Sequence, residues 1–247
     1  MKVIILAAGR GSRLGERTKD RPKCMCTLGG RTLLDRCLDS LDQVGVLRGD
    51  IGIVTGYRSE LFTVPGVTYF HNPDWEHTNM FCSLTMAQPW LERETCIVCY
   101  SDIVFHPNAI RALAASPAPL AITSYTGFWS LWEQRMEHPL EDLETFRTDS
   151  AGRLLEIGQK PEHREQIQGQ FMGLLRFTPQ SWDWVGQTIC NPLPKPIEKL
   201  DMTTLLQGML LQGFPIQTIP VDDLWLECDT QQDILTYEQC FAQILQG

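Results

Sequence analysis

Near the start of the chain, Val3-Ile4-Ile5-Leu6-Ala7-Ala8 form an unbroken apolar run that passes straight into Gly9. Such a run is the pattern of a strand buried on both faces, and so of a central strand in a parallel sheet. The polar stretch from Gly9 to Lys23 then reads as a long loop. From Thr32 the period changes. Leu33, Leu34, Cys37, Leu38, Leu41 and Val44 recur at helical spacing, with Gly45 as a stop. Ile51–Thr55 and Val67–Phe70 read as strands, Thr78–Gln88 as a helix, and Cys96–Tyr100 as a fourth buried strand. Pro107 can open a helix at its first turn that runs through Leu113, and Leu120–Thr123 is another strand. Strands alternate with helices throughout this half, which predicts an α/β fold built on a Rossmann-like, doubly wound, mostly parallel sheet.

After Thr126 the rhythm is lost. Thr126–Glu144 is rich in Trp, Pro and charge and reads as an insertion, while Arg153–Gly158 and Gln170–Phe177 read as strands of a small antiparallel annex or lid. Met202–Leu211 is expected to be a helix, Ile216–Ile219 a strand, and Thr230–Leu245 a closing helix. The chain of 247 residues, 43% of them hydrophobic, suits one domain spanning 1–247 with a substrate-side insertion at about 126–177.

Charge and cysteine usage narrow the function classes. A net charge of −9 argues against a nucleic-acid or anionic-membrane surface as partner, since both need a broad basic face. It leaves room for a small anionic substrate held by a local positive site. The nine cysteines are scattered and lack zinc-type spacing, as expected of reduced thiols in the cytoplasm. The apolar run at Val3–Ala8 is too short for a signal-peptide core, and no later stretch is long enough to span a bilayer. The five histidines show no metal or triad spacing.

The loop concentrates what the rest of the chain lacks. Arg10, Arg13, Arg17, Lys19, Arg21 and Lys23 face only Glu16 and Asp20. Gly9, Gly11 and Gly15 let the backbone approach an anion and aim N–H groups at it. Arginine forks and a lysine point charge suit a triphosphate. A dinucleotide turn also begins with such glycines, but it enters its helix directly and is followed by an acidic residue closing the second strand. Here the loop is long and basic, and Ile51–Thr55 ends in Thr-Gly-Tyr.

The string Leu6-Ala7-Ala8-Gly9-x-Gly11-Ser12-Arg13-Leu14, followed by Arg21-Pro22-Lys23, resembles the signature of the nucleotidyltransferase superfamily, the nucleoside-diphosphate-sugar pyrophosphorylases. The resemblance implies the nucleotide-diphospho-sugar transferase type of sheet. It also implies that the glycine loop holds base and phosphates, and that Arg13 and Lys23 neutralise the triphosphate and the leaving pyrophosphate. The whole chain resembles the cytidylyltransferase branch acting on small phosphates and phosphonates: L-glutamine phosphate, phosphocholine and 2-aminoethylphosphonate. The segment Trp132-x-x-Arg135-x-x-x-Pro139-Leu140-Glu141-Asp142-x-Glu144, with Gln170-x-x-Gly173 and Asp201-Met202-Thr203, is most similar to the L-glutamine phosphate enzymes. Thr78-Asn79-Met80 matches a loop near the nucleotide. The implied partners are CTP and a small phosphate or phosphonate acceptor, and homodimers are common in the group.

Two carboxylate segments complete the reading. Ser101-Asp102 follows the buried strand Cys96–Tyr100, where a side chain enters the ligand crevice of a parallel sheet. Glu227-Cys228-Asp229 follows Leu224-Trp225-Leu226 late in the chain. Two distant carboxylates converging beside a triphosphate suit Mg²⁺, and the resemblance assigns that ion to Asp102 and Asp229 and leaves Glu227 for the acceptor side. For the acceptor, Trp129 and Trp132 beside Glu141 and Asp142 can cage a cationic group, and Lys160 in Gly158-Gln-Lys-Pro161 can bind its phosphate. Alternatives that the residues leave open are a nucleotide-sugar pyrophosphorylase using UTP, dTTP or GTP, and a non-catalytic nucleotide sensor.

Overall fold

The structure, a computed structural model, describes residues 1–245. Seven strands form the main sheet: β1 (Lys2–Ala7), β2 (Ile51–Thr55), β3 (Thr68–His71), β4 (Cys96–Tyr100), β5 (Leu120–Tyr125), β6 (Gln170–Phe177) and β7 (Gln217–Val221). Their order across the sheet is β7-β5-β6-β4-β1-β2-β3. β1 pairs in parallel with β2 on one side, with Val3 opposite Ile51, and with β4 on the other, with Leu6 opposite Tyr100. β6 alone runs antiparallel to its neighbours, β4 and β5. The chain winds outward from β1 to β2 and β3, then returns to place β4 on the opposite side. The order therefore reverses between β1 and β4, and a ligand crevice lies beyond the carboxyl ends of strands at such a switch point.

Both faces of the sheet are covered, as the unbroken apolar run of β1 requires. Val3, Ile5 and Ala7 pack into a core with Leu33, Leu34, Leu38 and Leu41 of the helix Leu33–Asp42. Ile4, Leu6 and Ala8 enter a second core with Phe81 and Leu84 of the helix Met80–Thr85 and with Met202, Leu205 and Met209 of Met202–Leu211. The period-2 alternation of a strand divides consecutive residues between the two layers. Among the described residues, no helix is long and apolar enough to cross a membrane.

Several sequence expectations change. Gln170–Phe177 is not an annex strand; it lies inside the main sheet between β4 and β5. Phe171, Met172, Leu174, Leu175 and Phe177 are all buried, which suits a central position. The annex reduces to Phe146–Thr148 paired antiparallel with Leu154–Ile157. The insertion contains a helix, Phe128–Arg135. Thr78–Gln88 resolves into Met80–Thr85, capped by the Asn79 side chain, and Gln88–Leu91. The closing helix breaks at Phe241, between Gln231–Cys240 and Ala242–Leu245. A helix at Pro179–Ile189 was not anticipated, although Thr178 caps it reciprocally with Ser181 and Pro179 opens its first turn.

Candidate functional site

The loop after β1 is folded rather than open. Ser12–Thr18 forms a tight 3₁₀ segment kinked at Gly15, and Lys23–Met25 forms a single turn. The buried Thr18 hydroxyl donates to the Gly11 carbonyl at 3.1 Å, closing the loop on itself. Gly11 has φ +74°, a region costly for other residues. A Cβ there would lie 2.6 Å from Lys23 Cβ. The glycine thus lets the lysine stem pass against the loop backbone on its way into the crevice.

Lys23 Nζ meets two carboxylates at 2.5 Å each, Asp102 Oδ2 and Asp229 Oδ1. Arg13, itself largely exposed, reaches Asp229 Oδ1 at 2.9 Å. A short ribbon brings the two acids together across 127 positions of sequence. Ile103–Phe105 pairs antiparallel with Trp225–Glu227, Ile103 opposite Glu227, and the Cys228 N–H donates to the Asp102 carbonyl at 2.9 Å. Ser101 is buried in the turn ahead of Asp102.

Charge is unevenly compensated here. Burial alone would pull the Lys23 ammonium down, but Asp102 and Asp229 outweigh it and raise its pKa well above the ordinary value. Burial likewise opposes ionisation of Asp229, and Lys23 and Arg13 overcome it, holding that carboxyl low. Glu227 fares differently: burial, with Asp229 and Asp102 adding like charge, pushes it up to about 8. Asp102 Oδ1 is buried without a hydrogen-bond partner, and a buried orphan oxygen costs free energy unless something else meets it. The donor set fits a magnesium ion, which takes one or two carboxylates and completes its shell with phosphate oxygens and water. Among the described residues, no group of three or more His, Cys, Asp or Glu forms a cage that could hold a metal unaided.

Two cavities flank these acids. A cleft of about 120 Å³ at the end of β1 is lined by Leu6, Ala8, Gly9, Trp75, Thr78, Asn79, Met80 and Ser83. Of the nucleotide residues expected from sequence, Leu6, Ala8, Gly9, Thr78 and Asn79 line this cleft, Arg13 lines the other cavity, and Ala7, Gly11, Ser12, Lys23 and Ser101 line neither. The Ala7 side chain points into the core on the far face, and Ser12 is exposed on the 3₁₀ segment. Trp75, missed in the sequence, packs its indole near Tyr57, with ring centroids 5.1 Å apart. Buried Asn72 braces the cleft wall, donating to the Thr78 and Ser83 hydroxyls at 3.0 and 3.1 Å.

The second cavity, about 320 Å³, opens between Arg13 and the insertion. Asp142, Glu144, Asp201, Glu227 and Asp229 bring carboxylates to it, and Tyr100, Trp132 and Phe171 bring rings. Gly173, at φ +73°, sits where a Cβ would strike the Tyr100 ring at 2.6 Å. Trp132 donates its indole N–H to Asp142 Oδ2 at 2.9 Å and stacks on Trp225. Burial and the neighbouring Asp201 raise Glu144, against a hydrogen bond from Thr203.

Three acceptor residues expected from sequence do not reach this cavity. Lys160 Nζ donates to the Leu140 and Glu141 carbonyls at 2.7 and 2.6 Å, pinning the turn that precedes Asp142. Both carbonyls belong to the 3₁₀ turn Pro139–Glu141, so the ammonium is bonded to the backbone of the wall. Trp129 is partly buried against the core, donates its indole N–H to Glu133 at 2.7 Å, and is covered by the Arg164 guanidinium 4.5 Å from its ring centre. Glu141 is exposed. Glu144, Gln170, Asp201 and Thr203 carry the sequence resemblance without an assigned role, and the structure gathers them around one space. Tyr100 and Phe171 had no signal beyond being apolar strand residues.

A switch-point crevice, a glycine loop carrying arginine and lysine, and paired acids at the strand ends define a nucleotidyltransferase. The chain belongs to the family described as the MobA-like NTP transferase domain, which matches residues 3–171. It is 29% identical over 95% of its length to the CTP:phosphoglutamine cytidylyltransferase of Campylobacter jejuni, 98% of which is covered. It is 26% identical to the 2-aminoethylphosphonate cytidylyltransferase of Lancefieldella rimae over 63% of this chain and 60% of that one. In fold it resembles the inositol-1-phosphate CTP transferase of T. maritima, with a TM-score of 0.74 at 20% identity, covering 97% and 96% of the two chains.

Proposed function

We propose that the protein is a magnesium-dependent cytidylyltransferase of the cytoplasm that transfers CMP from CTP to a small phosphate or phosphonate bearing a cationic group. The observation that carries this is the second cavity: an anion-binding edge at Arg13 facing a wall of carboxylates and rings. An acceptor with a phosphate at one end and an ammonium at the other matches that polarity. Full-length similarity to the phosphoglutamine enzyme, and shorter similarity to aminophosphonate and choline-phosphate enzymes, supports the same class.

An acceptor oxygen of the phosphate or phosphonate attacks the α-phosphorus of CTP. The bond from that phosphorus to the β-phosphate oxygen breaks, and its electron pair leaves on pyrophosphate. The acceptor oxygen is already anionic at neutral pH, so the chain supplies no general base; it supplies position and charge. The cleft of Leu6, Gly9, Thr78 and Asn79 takes the nucleoside. Lys23 and Arg13 neutralise the triphosphate and the charge that accumulates on the leaving group. Asp102 and Asp229 would hold magnesium, which would supply Lewis-acid stabilisation of the charge on the reacting phosphates. Asp142, Glu144 and Asp201 receive the acceptor's cation. The test is pyrophosphate release across a panel of nucleoside triphosphates and acceptors. Activity with CTP and an amino-bearing phosphate or phosphonate is expected. Activity confined to UTP or dTTP with a sugar phosphate would refute the assignment.

A further inference from the structure

Arg135 lies at the end of the insertion helix Phe128–Arg135, and its side chain is only 2% exposed. Its fork grips Asp233, with Nε to Oδ1 at 3.0 Å and Nη2 to Oδ2 at 3.3 Å. Asp233 in turn accepts the backbone N–H groups of Asp229 at 3.0 Å and Thr230 at 2.8 Å. One face of the guanidinium rests on the Trp132 ring, 4.4 Å from its centre. Its third nitrogen, Nη1, is buried with no hydrogen-bond partner and stands 3.7 Å from Glu227 Oε2 and 4.0 Å from Asp142 Oδ2. A cap on the closing helix needs Asp233 and Thr230 alone. It does not need a buried arginine brought from 98 residues away.

We propose that Arg135 is a positioning residue: through Asp233 it fixes the peptide of Asp229, and with it the direction in which the Asp229 carboxylate faces Lys23 and the metal. The same side chain belongs to the helix that carries Trp132 and thereby the acceptor wall. It therefore ties the acceptor side of the crevice to the carboxylate on its nucleotide side. Two N–H bonds from one planar guanidinium to the two oxygens of one carboxylate define a direction that a single ammonium cannot. Groups that orient a metal's carboxylates typically influence affinity or rate by about 10- to 100-fold.

The inference rests on the proposed metal role of Asp229, and the experiment separates the two. Arg135→Lys keeps the charge and removes the fork; Asp233→Asn breaks the same link from the other side and keeps an acceptor for the cap. Each is compared with the unaltered protein in three measurements: Mn²⁺ affinity by calorimetry without nucleotide, kcat and KM for CTP, and the thermal transition. In a folded Arg135→Lys protein, kcat should fall about 10- to 100-fold and Mn²⁺ affinity about tenfold or more, with KM for CTP within about threefold. The double variant should be no worse than either single one, since both sever one link. Unchanged kcat and Mn²⁺ affinity in Arg135→Lys, or effects that multiply in the double variant, overturn the inference. So does loss of thermal stability alone. Failure of the unaltered protein to use CTP refutes the functional assignment instead, while the Mn²⁺ comparison still decides the role of Arg135.

Discussion

Gly11 and Lys23 are packed so closely that no side chain fits between them: a Cβ on Gly11 would lie 2.6 Å from Lys23 Cβ and 2.8 Å from its Cγ and Cδ. The glycine also holds φ +74°. Gly11→Ala therefore meets a backbone penalty of about 1–2 kcal/mol and a clash that can be relieved only by displacing the lysine stem. Misplacing a charged group by an ångström can cost about 100-fold in rate. The variant should fold, with a modestly lowered Tm, and lose about two orders of magnitude in kcat. Pyrophosphate release beside a thermal melt checks both.

Lys23 neutralises two acids that would otherwise repel each other across the crevice. Lys23→Ala should lower turnover by about 10²- to 10³-fold, as removal of a donor to developing charge does elsewhere. It should also destabilise the metal-free protein by about 2 kcal/mol or more, because buried charges lose their partner. Added Mg²⁺ should restore more stability to this variant than to the unaltered protein. Asp102→Ala should lose turnover to a similar degree and lose the Mg²⁺ response. Melting curves with EDTA and with Mg²⁺ distinguish the two; equal responses to Mg²⁺ would contradict the arrangement.

The parts of this site legible in the sequence are those written in local pattern. The Val3–Ala8 run, the glycine loop and the strand-end Asp102 each declare themselves within a few residues, and the structure places Lys23, Asp102 and Asp229 together. What stayed hidden depends on long-range pairing. β6 has the apolar run of a central strand, yet nothing local says that it inserts antiparallel between β4 and β5. The ribbon joining Ile103–Phe105 to Trp225–Glu227 is three residues long on each side, too short for a periodic signal. For Lys160 and Trp129 the sequence offers only residue type; where their side chains point depends on neighbours at Leu140 and Arg164, set by the turn and not by the motif.

Glu227 makes the stability of the metal-free protein depend on pH. Its carboxyl has an ordinary value of 4.5 and stands at about 8 when folded. Between those values the folded chain keeps a proton that the unfolded chain has released, so stability falls as pH rises. This contribution is full below about 4.5 and lost as pH climbs through about 8. Tm in EDTA should decline from about pH 5 to about pH 8.5, and Glu227→Gln should flatten that decline by holding the site neutral throughout. A slope unchanged by the substitution would remove Glu227 as its source.

The acceptor wall makes its own prediction. Asp142 is anchored by the Trp132 indole and lines the cavity with Glu144 and Asp201. Asp142→Asn keeps an oxygen to accept that indole N–H and removes one charge. If the wall recognises a cation, the unaltered enzyme should prefer 2-aminoethylphosphonate to ethylphosphonate, which differs only in lacking the amine. The variant should shrink that preference by about tenfold, as expected for a partly desolvated charge pair. The loss should appear in kcat/KM for the amine-bearing acceptor, with KM for CTP unmoved, because Asp142 lies outside the nucleoside cleft. Lys160→Ala, which loosens a turn without removing a wall charge, should leave the preference within about twofold while raising KM for both acceptors alike. Equal loss for the two acceptors in Asp142→Asn would mean that the carboxylate shapes the cavity without reading the charge of what enters it.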